Sequence, residues 1–262
     1  MEYLTLLMAG AMSGLVAGLA GLGGGTVIVP VLVWLYGDAA LHDAIVVSWF
    51  AVLFNSASAA TRQYKLRSSE ERSQLIAASK YFLIGVLMVT PITALVLTGM
   101  PSVLTPTMVG ALQITLAAAL MLQPTQSTEP RTMNKAFDTG WGALVGAAST
   151  LIGIGGGAYT TAYMVYGPRR PLRDAIAAGN LTGLVVGALA VVGYLASVIF
   201  IGNRGNAKAP GLISGVGMAL LLVSGVVCSA VGVKLSRNLP TALLKKILVG
   251  FLAVSAVRLL IS

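Results

Sequence analysis

Two glycine-rich interruptions, one inside each of two long apolar runs, limit what this chain can fold into. The first, Gly21-Leu22-Gly23-Gly24-Gly25, lies inside an apolar run from Leu4 to Tyr36, and the second, Gly153-Ile154-Gly155-Gly156-Gly157, inside a run over 139–167. The first run is 33 residues long. As one straight helix it would measure about 50 Å, far more than the ~30 Å hydrocarbon core of a bilayer. Each run therefore reads as a broken element.

Breaking the rest of the chain at charge and Pro/Gly clusters gives apolar blocks at 4–36, 44–61, 75–98, 103–122, 139–167, 174–201, 211–233 and 241–261. Of the 262 residues 56% are hydrophobic and 10% charged, with a mean hydropathy of +0.88. A soluble domain carries about a quarter charged residues, and no polar stretch between the blocks is long enough to fold alone. The composition is that of an integral, multi-pass membrane protein.

The eight blocks fall into two sets of four. The two interruptions align at an offset of 132, as do Gly10 with Gly142 and Gly14 with Gly146. With small insertions the series continues through Tyr36-Gly37 and Tyr166-Gly167, Asp43-Ala44-Ile45 and Asp174-Ala175-Ile176, and Pro101 and Pro240. A colinear series of this kind marks an internal duplication. The expected organisation is a first transmembrane repeat over 1–122, a polar cytoplasmic linker over 123–137 and a second repeat over 138–262.

Loop charge sets the expected orientation. The chain has 17 Lys and Arg against 8 Asp and Glu, a net charge of +9; in a membrane protein these basic residues fix topology and meet lipid headgroups, so no nucleic-acid partner is expected. If every block crosses once, the basic residues divide 10 to 7 between the two sides. If each glycine-broken block enters and returns to its own side, they divide 14 to 3, and the positive-inside rule favours that arrangement. Three full crossings per half is odd, so the second half would be inverted. The fold class expected is thus an all-α polytopic membrane protein of two inverted repeats, each a Gly-broken, re-entrant or discontinuous helix followed by three transmembrane helices, as in secondary transporters. Leu4 to Leu22 is long enough to span by itself, so five segments per half stays compatible with the same counts. Met1-Glu2-Tyr3 has no basic segment, and the first apolar block is expected to remain in the mature protein.

Unwound backbone at membrane depth must be buried in protein or line a cavity. A helix restarting after the triple glycine presents free N–H groups and about half a positive charge, and two such starts facing the membrane centre suit an anion. This nominates Gly23, Gly24, Gly25 and Thr26, with Gly155, Gly156, Gly157 and Thr160, as substrate-binding residues. Asn55 and Asn180, polar side chains inside apolar blocks, join them as donors for oxyanion oxygens. Ser48 and Gln113 read as structural, and Trp34, Trp49 and Trp141 as interfacial anchors.

The run from Gly14 through Gly25, followed by Val29-Pro30-Val31-Leu32, resembles the signature of the TauE/SafE sulfite exporter family, also called the toluene sulfonate uptake permeases, and Leu151 to Gly157 is similar to its second copy. The resemblance implies a multi-pass permease of a bacterial-type inner membrane that moves small sulfur-containing anions such as sulfite, sulfonates or sulfoacetate. Ala162 stands at the counterpart of Pro30, a departure from the repeat.

All eight carboxylates lie in loops or at block ends, and the lone His42 precedes the second block. No proton relay of buried acids, protease triad or metal-ligand spacing is present; neither enzyme activity, nor a metal, nor a cofactor is expected. The function expected is export of small sulfur oxyanions from a midplane site between the two broken helices, with an anion channel and a non-transporting scaffold subunit as the alternatives. In a Cys228→Ala background, single cysteines at Ser69 and Gly167 should react with an impermeant maleimide from one and the same side of the membrane; labelling from opposite sides contradicts the topology.

Overall fold

Each half of the chain builds a long helix, a glycine break and a shorter returning helix before its remaining spans. The computed structural model describes residues 1–99, 106–121, 134–200 and 212–240, with single positions between 242 and 257. The elements are α1 (Glu2–Ala20), α2 (Gly25–Tyr36), a 3-10 turn (Asp38–Ala40) leading into α3 (Leu41–Lys65), α4 (Ser69–Gly99), α5 (Pro106–Met121), α6 (Lys135–Ile152), α7 (Gly157–Tyr166), α8 (Leu172–Phe200) and α9 (Gly215–Asn238). Among the described residues there is no strand. Most of the expected linker and of the last apolar block lies outside the described residues.

Five of these helices are long and apolar enough to cross a membrane: α1, α3 with its preceding turn, α4, α8 and α9. The glycine break is not central in its block. It leaves 19 residues in α1 and 12 in α2, so the first limb has full membrane length and only the second is short. Apolar side chains left exposed, such as Leu87, Met88 and Ile92 on α4 and Val223, Val227 and Val231 on α9, form the stripes that lipid would cover.

The limbs of each hairpin are tied at their outer ends. Tyr36 at the end of α2 donates its hydroxyl to Glu2 at the start of α1, at 2.6 Å. Tyr163 in α7 likewise donates to Asp138 in the first turn of α6. Chain entering as α1 or α6 therefore leaves beside its own starting point.

Packing between the halves is reciprocal. Helix α1 lies along α9, and α6 lies along α4. A Cβ added to Gly10 would overlap the Leu221 carbonyl oxygen, and one on Gly142 that of Phe82. One on Gly14 would overlap Gly225, while one on Gly146 would sit 3.1 Å from the Cα of Val86. The α1 and α6 positions differ by 132, and those on α4 and α9 by 139, the offset that also separates Pro101 from Pro240. Small residues here let backbones approach to contact, which is how apolar helices associate where burial from water drives nothing.

Gly14→Ala and Gly142→Ala should each lower stability by about 1–3 kcal/mol, the usual cost of overpacking. Gly140, in α6 with nothing within reach of an added Cβ, should gain up to about 1 kcal/mol as alanine. Thermal unfolding of the three purified variants checks the contrast.

Candidate functional site

The glycine breaks repeat not only in sequence but in backbone angle. Gly21, Gly23 and Gly24 have φ of 72°, 71° and 89°; Gly153, Gly155 and Gly156 have 73°, 79° and 75°. These left-handed conformations are open to glycine and strained for most other residues. The first glycine of each set ends the incoming helix by returning its N–H to the last turn, Gly21 to Ala17 and Gly153 to Ser149.

The two unwound segments pack on each other. A Cβ on Gly25 would overlap the Gly153 carbonyl oxygen, and one on Gly157 the Gly21 carbonyl oxygen. Between them an added Cβ on Gly23 would lie 3.1 Å from the Ile154 carbonyl oxygen and 3.5 Å from the Cα of Gly155. The segments thus run antiparallel past one another, and each returning helix starts against the first glycine of the opposite break. Leu22 and Ile154, both wholly buried, fill the crossover.

Helix α3 supports it. Ser48 Oγ lies 2.6 Å from the Ile45 carbonyl oxygen and 2.9 Å from that of Gly153, and the Trp49 indole N–H donates to the Thr150 carbonyl at 3.1 Å. The expectation for Ser48 as a structural residue agrees with this placement. Trp49 differs from its expected place at an interface: it is fully buried, whereas Trp34 and Trp141 are 60% and 42% exposed. Its position near a block end hid that it faces α6 rather than lipid.

Side chains cap the starts of α4 (Ser68 with Glu71), α6 (Asn134) and α9 (Ser214), while α1 and α3 start without one. Helices α2 and α7, which start inside the protein, have no side-chain cap. Around the start of α2 stand Thr26, 1% exposed, and the pair Asn55 and Ser13, whose Nδ2 donates to Oγ at 2.9 Å. An added Cβ on Gly24 would overlap Ser13 Oγ and sit 2.9 Å from Asn55 Nδ2. Around the start of α7 the equivalent space beside Gly156 holds Ser149 Oγ at 3.2 Å and the Thr182 methyl at 3.0 Å. The oxygens Asn55 Oδ1, Ser149 Oγ, Thr160 Oγ1 and Thr182 Oγ1, all close to the two helix starts, are buried with no hydrogen-bond partner. Ser13 and Ser149, which no pattern in the sequence singles out, sit here because α1 and α6 end at the breaks. The Asn180 Nδ2 donates to Gln63 Oε1 at 3.2 Å, toward the end of α3.

Beyond that pair opens a cavity of about 220 Å³ between the end of α3, the start of α8 and the end of α9. Its floor includes Ile176 and Val233, and these touch Gly21 and Gly18 on the inner side. Arg67 joins Asp174 across it at 2.7 Å, which puts the loops at 62–80 and 167–173 side by side.

Trp49→Phe keeps the bulk but leaves the Thr150 carbonyl buried without its donor, a loss of about 1–3 kcal/mol. Chemical denaturation of the variant and the wild type in detergent measures it.

The family described as Sulfite exporter TauE/SafE matches residues 6–259 of this chain. A "Probable membrane transporter protein" of Haemophilus influenzae is 24% identical over 269 residues, covering 98% of this chain and 97% of that protein. No solved structure shows a significant match. The membrane-length helices and the paired glycine breaks thus stand in a chain that belongs to the TauE/SafE sulfite exporter family of membrane transporters.

Proposed function

We propose that the protein is a permease of a bacterial-type inner membrane that exports small sulfur-containing oxyanions, such as sulfite or organosulfonates, through the crossover of the two glycine breaks. The observation that carries the reading is the pair of uncapped helix starts set among buried hydroxyl groups that lack partners. An oxyanion bound there takes the backbone N–H groups of Gly23, Gly24, Gly25 and Thr26 on one side and of Gly155, Gly156 and Gly157 on the other, with the Thr160 hydroxyl, whose own N–H is spent on the Gly156 carbonyl, and the Asn55 amide as side-chain donors and Asn180 on the approach.

Two features support an inverted pair of repeats, 1–122 and 138–262, about that site. The contacts Gly25 to Gly153 and Gly157 to Gly21 exchange equivalent positions, as an isologous interface does. The packing of α1 on α9 and of α6 on α4 does the same. The closed packing of the crossover around Leu22 and Ile154 favours a carrier over an open pore.

The described carboxylates all lie at helix ends or in turns, so the site recognises charge by dipoles and neutral donors. Export then needs no coupling ion: each elementary charge leaving a cytoplasm held negative by 100 mV gains about 2.3 kcal/mol.

Uptake of labelled sulfite into proteoliposomes tests the reading. Gly24→Val and Gly156→Val should abolish transport while the protein stays folded in the membrane. Thr26→Asp, which places a carboxylate at the α2 start, should lose far more activity than Thr26→Val, whose missing hydrogen bond is worth roughly 1 kcal/mol, and Thr26→Ser should stay near wild type. Equal loss in the Asp and Val variants would point to packing and against an anion at this helix end.

A further inference from the structure

The cavity whose lining residues Val233 and Ile176 back onto Gly18 and Gly21 has a charge pattern that topology alone does not require. Arg67, Arg173 and Arg237 line it, and a second cavity of about 180 Å³ adjoins it across the Arg67–Asp174 pair and adds Arg170. Four arginines thus face two carboxylates, Glu71 and Asp174. These carboxylates are engaged. Asp174 accepts from Arg67, and Glu71 Oε2 accepts from the Ser68 N–H as part of the α4 cap. Arg173 is held as well, its Nη2 donating to the Arg237 carbonyl at 3.0 Å. The Arg237 guanidinium makes no ion pair with any described residue, and Arg170 Nε is buried without a partner.

A polar seam leads inward from this cavity. Gln63 lines it and accepts from Asn180, which is fully buried and whose Oδ1 is unpaired. Two turns deeper along α3, Ser56 Oγ is also buried and unpaired. It faces Gly183 on α8, where an added Cβ would lie 3.0 Å from the Gly155 carbonyl oxygen in the second break.

We propose that this arginine-lined cavity is the loading site of the transporter, where a small oxyanion is captured by Arg237 and Arg67 and then passed along Gln63, Asn180 and Ser56 to the crossover. The inference rests on the permease reading above. Arginine suits the first step because its planar donor fork matches oxyanion oxygens, and the neutral seam suits the second because an anion held too tightly would not move on. The phosphate of a lipid headgroup offers the same chemistry as a soluble oxyanion, and the test separates the two.

Ser236, 7% exposed, lines the cavity beside Arg237. Ser236→Cys in a Cys228→Ala background, held in nanodiscs of phosphatidylcholine alone, is treated with the anionic sulfonatoethyl and the cationic trimethylammonioethyl methanethiosulfonates. Adding Arg237→Gln should slow the anionic reagent about threefold and speed the cationic one about threefold, the effect of one charge at ~6 Å in a water-like dielectric. The rate ratio then falls about tenfold, and Arg237→Lys should restore it. Methanesulfonate, which unlike sulfite cleaves neither thiosulfonates nor disulfides, should protect the cysteine in these discs, and Arg237→Gln should raise the concentration needed about tenfold. An unchanged ratio, or no protection by methanesulfonate while its transport proceeds, overturns the loading site and leaves the permease reading standing. Protection that needs phosphatidylglycerol and not methanesulfonate overturns it too, in favour of a headgroup. Absence of methanesulfonate transport alongside an intact ratio and protection would instead count against the permease and for the binding site.

Discussion

Backbone N–H and C=O groups that leave a helix inside a membrane must find partners within the protein, because lipid offers none. In this chain that demand falls twice, at residues 21–24 and 153–156, where α1 and α6 end and α2 and α7 have not begun. The protein meets it by laying one break against the other, Gly25 on Gly153 and Gly157 on Gly21, so neither half can bury its unwound segment alone. The rest follows from keeping the two in contact: α3 clamps the crossover through Ser48 and Trp49, and α1 and α6 are drawn across to the fourth helix of the opposite half through glycine faces.

Much of this was legible in the sequence because glycine is informative where backbone must unwind or touch. The offset of 132 located both breaks, and the same offset matches the backbone angles found there. The loop charges placed 62–80 and 167–173 together, as the Arg67–Asp174 pair does. Side-chain partners were not legible. Ser13 lies in a helix of small residues with no period to set it apart, and Trp49 and Thr150 meet across 101 residues of chain. The arginines around the cavity, read as markers of orientation, gain a second meaning only when α3, α8 and α9 bring them together. Length left one point open: the 33-residue block had room for two half-helices or for one membrane-length helix and a short return, and the break leaves 19 residues in α1 and 12 in α2.

The two halves share geometry without sharing chemistry. Beside Gly24 stand Ser13 and Asn55, beside Gly156 Ser149 and Thr182. Pro30 cannot donate an N–H into the turn that begins at Thr26, whereas Ala162 can into that of Ala158. Under the proposed inverted arrangement the repeats supply the hinge symmetry for alternating access, while the unlike side chains supply different holds on the same anion, one amide-rich and one hydroxyl-rich. On the proposed reading that asymmetry, together with the basic cavity at the ends of α3 and α9, sets the side from which the anion loads.

The central claim is that an oxyanion binds where the breaks cross. Selenite, a heavier analogue of sulfite, makes the site visible by anomalous diffraction from crystals grown with it. The account predicts a selenium peak within hydrogen-bond reach of the backbone N–H groups at the start of α2 or α7, with the contact between Gly21 and Gly157 opened to admit it. Selenite bound away from both breaks, with the crossover packed as it is here, would contradict the account.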